Sequence, residues 1–443
     1  MTPDQVVAAV SAALADLAPG APAVVAMSGG PDSAALAVAV RRARPDLDLR
    51  GAHVRHGLRE DDGQDAQIAR VQAEGLAIPF AVHEVQVVDT AGAGIAAAAR
   101  TARFEALAAA ADGGAWLLVA HTADDQAETV LLNLGRGTGT RGLGGMRERS
   151  SWGTVPVARP LLAVRRDDAR ALAAGLPTAN DPSNTDPARR RTRVRTELLP
   201  ALARVSGGPG DPVGVLCRTA ALARADADAL DELAVAHAAQ ALHHWGPGCA
   251  VRERALEALP QALASRVLRR LLAAVAGPDT ELPHAMLDTV RALEGGQADI
   301  GDGIRVSRSN GWIAAAPAGA GLAPRPVGTA LGATAAVTIP ELGLRLVAGG
   351  DPGPVPPGGD PAHGVSPPLP ADAALQVRGW QAGDRFAHTG AKVADALGRQ
   401  GIPRVLRPLV PVVADNDGTC WWVAGAGGSA ARVAPLLHVA LSQ

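Results

Sequence analysis

At 443 residues the chain is too long for one compact domain, and its 47% hydrophobic content is enough for two or three cores. A formal net charge of −2 excludes a global positive field of the kind that coats nucleic acid. Aromatics are 2%, Tyr is absent and Lys392 is the single lysine, so the cores are expected from Ala, Leu and Val. Any phosphate contact must come from Arg, backbone N–H or metal.

Met1–Leu17 carries Asp4 and Asp16 and no basic start, so it reads as an amphipathic helix and not as a signal peptide. No window offers the roughly 18 uninterrupted apolar residues of a membrane span. Cys217, Cys249 and Cys420 form no Cys-x-x-Cys pair, which argues against a zinc ribbon, an iron–sulfur cluster or a disulfide framework. The expectation is a cytoplasmic protein with no membrane partner.

Ala23–Met27 is a short apolar run that predicts a buried strand, and Ala34–Val38 opens an Ala/Leu-rich helix. Between them lies Ser28-Gly29-Gly30-Pro31-Asp32-Ser33. Free backbone N–H groups, two hydroxyls and a helix N-terminus around one point suit pyrophosphate. The loop has no Lys, so it is not the Gly-x-x-x-x-Gly-Lys phosphate loop. Asp32 would repel phosphate directly, and its natural role is to hold Mg²⁺ against phosphate oxygens. The alternative is an ordinary strand-to-helix turn with a serine cap. This loop resembles that of the PP-loop ATP pyrophosphatases, which cut ATP between its α and β phosphates.

Further along, strands are predicted at Leu47–Val54, Phe80–Val88 and Trp116–Ala120, and helices at Gln64–Glu74, Gly94–Ala111 and Asp124–Leu134. Strands separated by such helices imply right-handed crossovers and a parallel sheet, with ligands at the carboxyl ends of the strands. After the second strand, His53-Val54-Arg55-His56 offers histidines that either stack on or hydrogen-bond the nucleotide or serve as satisfied structural histidines. A His-x-x-His metal pair would need partners that are not evident. After the fourth strand, His121-Thr122-Ala123-Asp124-Asp125-Gln126-Ala127-Glu128-Thr129 both caps a helix and sets Asp125 and Glu128 on one face at i, i+3. Two converging carboxylates can hold an ammonium group or a second metal ligand sphere. Arg136 to Met146, with Arg136, Arg141 and five glycines, reads either as a loop that closes on phosphates or as a plain connector. Arg189, Arg190, Arg191, Arg193 and Arg195 form the one concentrated basic patch, either a solvated face or a phosphate site. They are expected to open a helix that ends near Leu199-Pro200.

From about Val215 to Gly295 the pattern reads as purely helical, and Ile304–Ala315 as a short hairpin. The span 316–371 is dense in Pro, Gly and Ala, with Asp351–Pro370 a linker or surface loop. The remainder reads as small, mixed and strand-rich.

Taken together, Ser28–Ser33, His56-Gly57-Leu58-Arg59, Arg100 with Arg103-Phe104, His121–Thr129, Arg136-Gly137-Thr138-Gly139, Arg159-Pro160-Leu161-Leu162, Asp181-Pro182-Ser183-Asn184 and Arg191-x-x-x-Arg195 resemble, in order and spacing, the tRNA(Ile)-lysidine synthases. Gly383-Asp384-Arg385-Phe386, Lys392–Leu397 and Ile402–Pro408 look like the C-terminal domain of the family's longer members. Arg55 stands where an Asn is usual, Phe104 where a Tyr is usual, and Thr192 where an Asn commonly follows the Arg.

The resemblance implies an α/β PP-loop domain over 1–212, a mainly helical tRNA-binding domain over 213–318, a linker region over 319–371 and a small mixed α/β tRNA-binding domain over 372–443. It implies an enzyme that adenylates the 2-carbonyl oxygen of the wobble cytidine of a CAU-anticodon tRNA(Ile). Free L-lysine then displaces AMP, and the product pairs with A instead of G. By carry-over, Ser28, Gly29, Gly30, Pro31, Asp32, Ser33 and His56 bind ATP, with Asp32 on Mg²⁺. Asp125 and Glu128 take lysine, and Arg103 and Arg191, with Asp32, serve catalysis. Arg136, Arg141, Arg189, Arg190 and Arg195 contact tRNA or phosphate. A homodimer is compatible with all of this. Other PP-loop enzymes share the first loop, but the tRNA thiolases it most resembles use Cys-x-x-Cys pairs, and amidating ligases lack the Arg136–Met146 and Asp181–Arg195 patterns. A non-catalytic RNA binder with a vestigial nucleotide fold would have no need of Asp32 and the paired acids.

Overall fold

The computed structural model describes residues 1–57, 62–87, 94–179, 186–205, 211–277, 280, 282–326, 335–339, 344–348, 376–387 and 389–424. The expected features at Leu58-Arg59, Asn180–Asn184 and Asp351–Pro370 lie outside these residues. Two compact units divide the chain, Met1–Asp228 and Ala229–Gln443.

The first unit opens with α1 (Pro3–Ala13), whose N-cap Thr2 and Gln5 form a reciprocal capping box. Alternation then follows as β1 (Pro22–Ala26), α2 (Pro31–Ala43), β2 (Asp48–Arg55), α3 (Asp62–Gly75), β3 (Phe80–Glu84), α4 (Ile95–Ala110), β4 (Trp116–Leu118) and α5 (Ala123–Leu134). A short α6 (Thr140–Leu143), β5 (Arg149–Trp152), β6 (Val155–Ala158) and α7 (Arg166–Ala171) come next. The sheet order is β3-β2-β1-β4-β6-β5, all parallel except the β5–β6 pair at the edge. The chain runs outward from β1 to β3 and then returns to β4 on the other side of β1. This reversal makes a crevice at the carboxyl ends of β1 and β4, where open α/β sheets bind ligands.

Alternation along the strands shows how both faces are covered. Ala23 and Val25 of β1, with Leu118 of β4, join a core with α1, α2 and α7. Val24 and Leu117 join the opposite core with Phe104 and Leu107 of α4. With so few aromatics, α2 is buried from Ser33 through Val40, its Ala-rich surface letting neighbours approach closely.

The Arg-rich segment forms α8 (Arg190–Arg193), a π-type turn at Val194–Leu198 and α9 (Leu199–Val205). The helix was expected to end near Pro200, yet it continues through Val205. The wide turn just before Pro200 accommodates a ring that would otherwise clash with a carbonyl of the preceding turn. The long α10 (Pro212–Ala241) carries the chain on into the second unit.

In the second unit, the stretch expected to be purely helical instead contains an antiparallel pair, β7 (Leu242–Trp245) and β8 (Gly248–Arg252). Gly246, at φ +53°, makes the turn. The helices α11 (Glu253–Glu257), α12 (Gln261–Ala276) and α13 (His284–Ala292) lead to β9 (Gly296–Asp299), β10 (Ile304–Ser309) and β11 (Trp312–Pro317). The sheet order is β7-β8-β11-β10-β9, and β8 is held through register pairs such as Val251 with Ile313. That distant pairing overrides the local helical composition. The β10–β11 hairpin falls where the sequence predicts one.

A second five-stranded sheet combines β12 (Arg325–Pro326) with four later strands. In chain order these are β15 (Gln376–Gly379), β16 (Arg385–Phe386), β17 (Pro411–Ala414) and β18 (Thr419–Val423). Between them β13 (Ala335–Ile339) pairs with β14 (Leu344–Ala348). A buried Arg378–Asp384 pair at 2.7 Å and α14 (Val393–Arg399) complete this region.

Candidate active site

A cavity of about 350 Å³ opens at the carboxyl ends of β1, β2 and β4 in the first unit. Its walls include Ser28, Gly30, Pro31, Asp32 and Ser33 from the first loop, and His53 and His56 from the end of β2. Arg103 and Phe104 of α4, His121 and Asp125 after β4, Arg170 of α7 and Arg191 of α8 complete them. The volume lies within the range of small-molecule sites.

The first loop is braced by its own hydroxyls. Ser28 N–H donates to Ser33 Oγ at 3.1 Å, Ser33 Oγ donates to the Gly30 carbonyl at 2.9 Å, and Gly30 N–H donates to Ser28 Oγ at 3.3 Å. Gly29 sits at φ +82°, and a Cβ there would lie 2.6 Å from the Asp65 carbonyl oxygen, so only glycine fits. Its carbonyl accepts from Ala179 N–H and from Gln72 Nε2, both at 2.9 Å. The same Gln72 nitrogen donates to the Pro177 carbonyl at 2.7 Å. Gln72 is fully buried and holds the loop from behind, a role that sequence reasoning missed. A lone Gln on the apolar side of a predicted helix was the available signal. Gly30, the N-cap of α2, supplies no side chain to that helix end.

After β4, Thr122 caps α5. Its N–H and Oγ1 donate to Asp125 Oδ2 at 2.9 and 2.8 Å, so Asp125 is both part of the cap and part of the cavity wall. Arg166 Nη2 donates to the other oxygen of Asp125 at 2.9 Å and to Glu128 Oε1 at 3.3 Å. Burial raises the Asp125 carboxyl, but the Arg166 charge and the Thr122 backbone outweigh it and hold the group below the usual carboxylate range. Glu128 differs from the expected picture of a second acid facing the cavity. Its side chain is 0% exposed and sits among Arg166, Arg191 at 3.4 Å and Arg195 at 2.8 Å. Three guanidiniums around one carboxylate draw it inward, and the i, i+3 spacing leads both acids to Arg166 instead of to open space.

His121 is half-buried, and its buried Nδ1 has no hydrogen-bond partner. Burial pulls its pKa down to about 3 against the opposing pull of Asp125, and the nearby charges of Arg159, Arg100 and Arg191 lower it further. The imidazole is therefore neutral. Arg100, Arg103 and Arg159 have no carboxylate partner among the described residues. Their pKa values are lowered first by burial and then by a neighbouring guanidinium, Arg191 acting on Arg100, and Arg100 on Arg103 and Arg159. Such a cluster suits phosphate or a developing negative charge.

Arg136, Arg141, Arg189 and Arg190 are exposed and are not part of the cavity wall. The Gly-rich segment after Arg136 is anchored. Gln126 Nε2 donates to Met146 O at 3.0 Å, Asn133 to Gly142 O at 2.8 Å, and Arg224 to Met146 O at 2.6 Å. No group of three or more His, Cys, Asp or Glu residues that could hold a metal ion exists among the described residues. Asp32, the cavity-wall carboxylate within the phosphate-shaped loop, fits Mg²⁺, which takes one or two carboxylates and completes its shell with phosphate and water.

Comparison with known proteins places the chain in a family. The PP-loop domain family matches residues 4–202. The tRNA(Ile)-lysidine synthase of Salinispora arenicola is 42% identical over 318 residues, which is 69% of this chain and 93% of that protein. This chain belongs to the tRNA(Ile)-lysidine synthase family. The Thermobifida fusca enzyme of that name is 45% identical over 277 residues, covering 61% of this chain and 82% of its own. Among solved structures, the U34-tRNA thiolase NcsA from Methanococcus maripaludis has a TM-score of 0.42 at 17% identity, over 49% of this chain and 77% of that one.

Two of the three departures from the family pattern have local explanations. Arg55 pairs with Glu84 at 2.6 Å and is not in the cavity wall. Phe104 stacks on Trp152 with centroids 4.9 Å apart and is 2% exposed, so its site asks for no hydroxyl. Thr192 is buried, and nothing in the structure explains its departure.

Proposed function

We propose that this protein joins L-lysine to the wobble cytidine of a CAU-anticodon tRNA(Ile), using ATP. Membership of the lysidine synthase family carries the reading. The cavity that has Ser28, Asp32, Arg103, Asp125 and Arg191 in its wall supports it.

The chemistry has two displacements. The cytidine 2-carbonyl oxygen attacks the α-phosphorus of ATP, the bond to the β-phosphate breaks, and pyrophosphate leaves. The lysine ε-amine then attacks C2, loses a proton, and AMP departs with the former carbonyl oxygen. An amide-like oxygen leaves poorly until adenylated, so the protein's part is positioning and charge stabilisation. Ser28–Ser33 offer backbone N–H groups and hydroxyls to the departing pyrophosphate. Asp32 would hold Mg²⁺, which when bound would supply charge neutralisation on those phosphates. Arg103 and Arg191 face the developing negative charge. Asp125 takes the lysine ammonium at the cavity wall, and Glu128 supports it from behind by fixing Arg166, Arg191 and Arg195. Exposed Arg136, Arg141, Arg189 and Arg190 serve tRNA phosphates, and the segments 213–318 and 372–443 hold the acceptor stem and body. The proposed setting is the cytoplasm.

The deciding experiment incubates purified protein with ATP, Mg²⁺, lysine and a tRNA(Ile) transcript, then weighs the nucleosides. A cytidine heavier by lysine minus water is expected. No mass change, or a gain the size of a sulfur exchange, overturns the proposal.

A further inference from the structure

Arg170 lies on α7 one turn beyond Arg166, and its side chain forms part of the cavity wall. Its Nε donates to Asp32 Oδ1 at 2.6 Å and its Nη2 to Oδ2 at 3.2 Å, so both carboxylate oxygens are engaged by one guanidinium. Arg166 adds a weaker contact, its Nε lying 3.6 Å from Asp32 Oδ2. Asp32 is the acid to which the proposed function gives Mg²⁺. A cation at about 2.1 Å from a carboxylate oxygen competes with Arg170, which now engages both oxygens, and two cations on one carboxylate repel. The metal and the guanidinium therefore compete for it.

The two arginines differ in their freedom to leave. Arg166 is 8% exposed and is shared with Asp125 and Glu128, so its charge remains engaged. The Arg170 side chain is 41% exposed, and Asp32 is the one carboxylate that it contacts among the described residues. Solvent screens such a pair, which makes it exchangeable. Released from Asp32, the guanidinium remains in the wall of the same cavity as Ser28–Ser33, which would cradle the phosphates. Its planar fork matches phosphate oxygens as well as it matches carboxylate.

We infer that Arg170 is an exchangeable counterion, holding Asp32 while the site is empty and moving to the β and γ phosphates when Asp32 takes the divalent cation. This inference rests on the ATP and Mg²⁺ reading of the site. It makes Arg170 a pyrophosphate-binding residue in the loaded enzyme and a competitor of the metal in the empty one.

The two roles oppose each other in a single variant. Arg170→Gln, checked for folding by circular dichroism, is titrated with Mn²⁺ alone by electron paramagnetic resonance. It is then titrated calorimetrically with inorganic pyrophosphate at saturating Mg²⁺. Mn²⁺ should bind about three- to tenfold more tightly, and pyrophosphate about tenfold more weakly, than in the unsubstituted protein. Arg170→Lys, which keeps the charge without the fork, should recover part of the pyrophosphate affinity. Equal affinities in variant and parent, or a fall in both, overturn the exchange while leaving the ATP reading intact. A parent protein that binds neither Mn²⁺ nor pyrophosphate overturns both.

Discussion

The two loops that meet at the switch point are held by different physics. The loop after β1 is organised by neutral hydrogen bonds, Ser28 to Ser33, Gly29 to Gln72 and Ala179, and by the absence of side chain at Gly29. The segment after β4 is organised by charge, with Asp125 and Glu128 gathered on Arg166 and closed off by Arg191 and Arg195. A neutral cradle keeps its shape whatever binds, so incoming phosphates find preformed donors. A charged cluster has alternative pairings, so it can exchange partners as substrates arrive. The Asp32–Arg170 pair sits where the two designs meet.

Steric disruption of the cradle should have the largest effect. Gly29→Ala places a methyl group against the Asp65 carbonyl in a backbone region that L-residues avoid. A destabilisation of roughly 2–4 kcal/mol is expected. ATP-dependent pyrophosphate release should fall by about a hundredfold, since reacting atoms shift by a fraction of an ångström to an ångström. Thermal melting and a pyrophosphate release assay read the two effects. Near-normal activity would mean that the cradle tolerates reshaping.

Removing a charge from the cluster should come next. Glu128→Gln leaves Arg166, Arg191 and Arg195 without their shared partner, part of it fully buried. A cost of about 2 kcal/mol is expected, because Arg191 and Arg195 are partly solvated and regain water. The KM for lysine should rise more than the KM for ATP. Equal rises would show that Glu128 serves the nucleotide side as much as the lysine side.

The smallest effect should appear with acid. His121 has an ordinary value of 6.5 and about 3 in the fold, so below pH 6.5 the unfolded chain takes up a proton that the folded chain refuses. Stability is therefore lost as pH falls through 6.5 and stops falling near 3. Between pH 6.5 and 5.5 the loss from this group is about 1 kcal/mol, and His121→Gln should remove it. Denaturant melts of the two proteins at both pH values test the difference. Gly29→Ala, which touches only the neutral cradle, should leave that pH dependence unchanged.

Much of the first unit could be read along the chain because the signals there are local. Short apolar runs alternate with Ala-rich helices, and the polar loops follow the strands, so a parallel sheet with a site at its carboxyl edge was expected and is found. The β7–β8 pair was misread because His243-His244-Trp245 has no strand pattern of its own, and β8 owes its place to β11, some 60 residues away. Helix α9 passes Pro200 because a π-type turn makes room, a geometry that no local composition announces.

By itself the sequence determined the chemistry on offer: a phosphate-shaped loop with one acid, paired carboxylates at a helix start, and arginine as the cation for phosphate. Only the tertiary structure decided which arginine meets which acid. Arg166 and Arg170 lie more than 130 residues from Asp32, and Arg195 lies 67 from Glu128, yet they share ion pairs because parallel strands bring their following loops to one edge. Spacing along a helix places Asp125 and Glu128 on one face. Whether that face looks into a cavity or onto a guanidinium depends on the segment packed against it, and here that segment is α7.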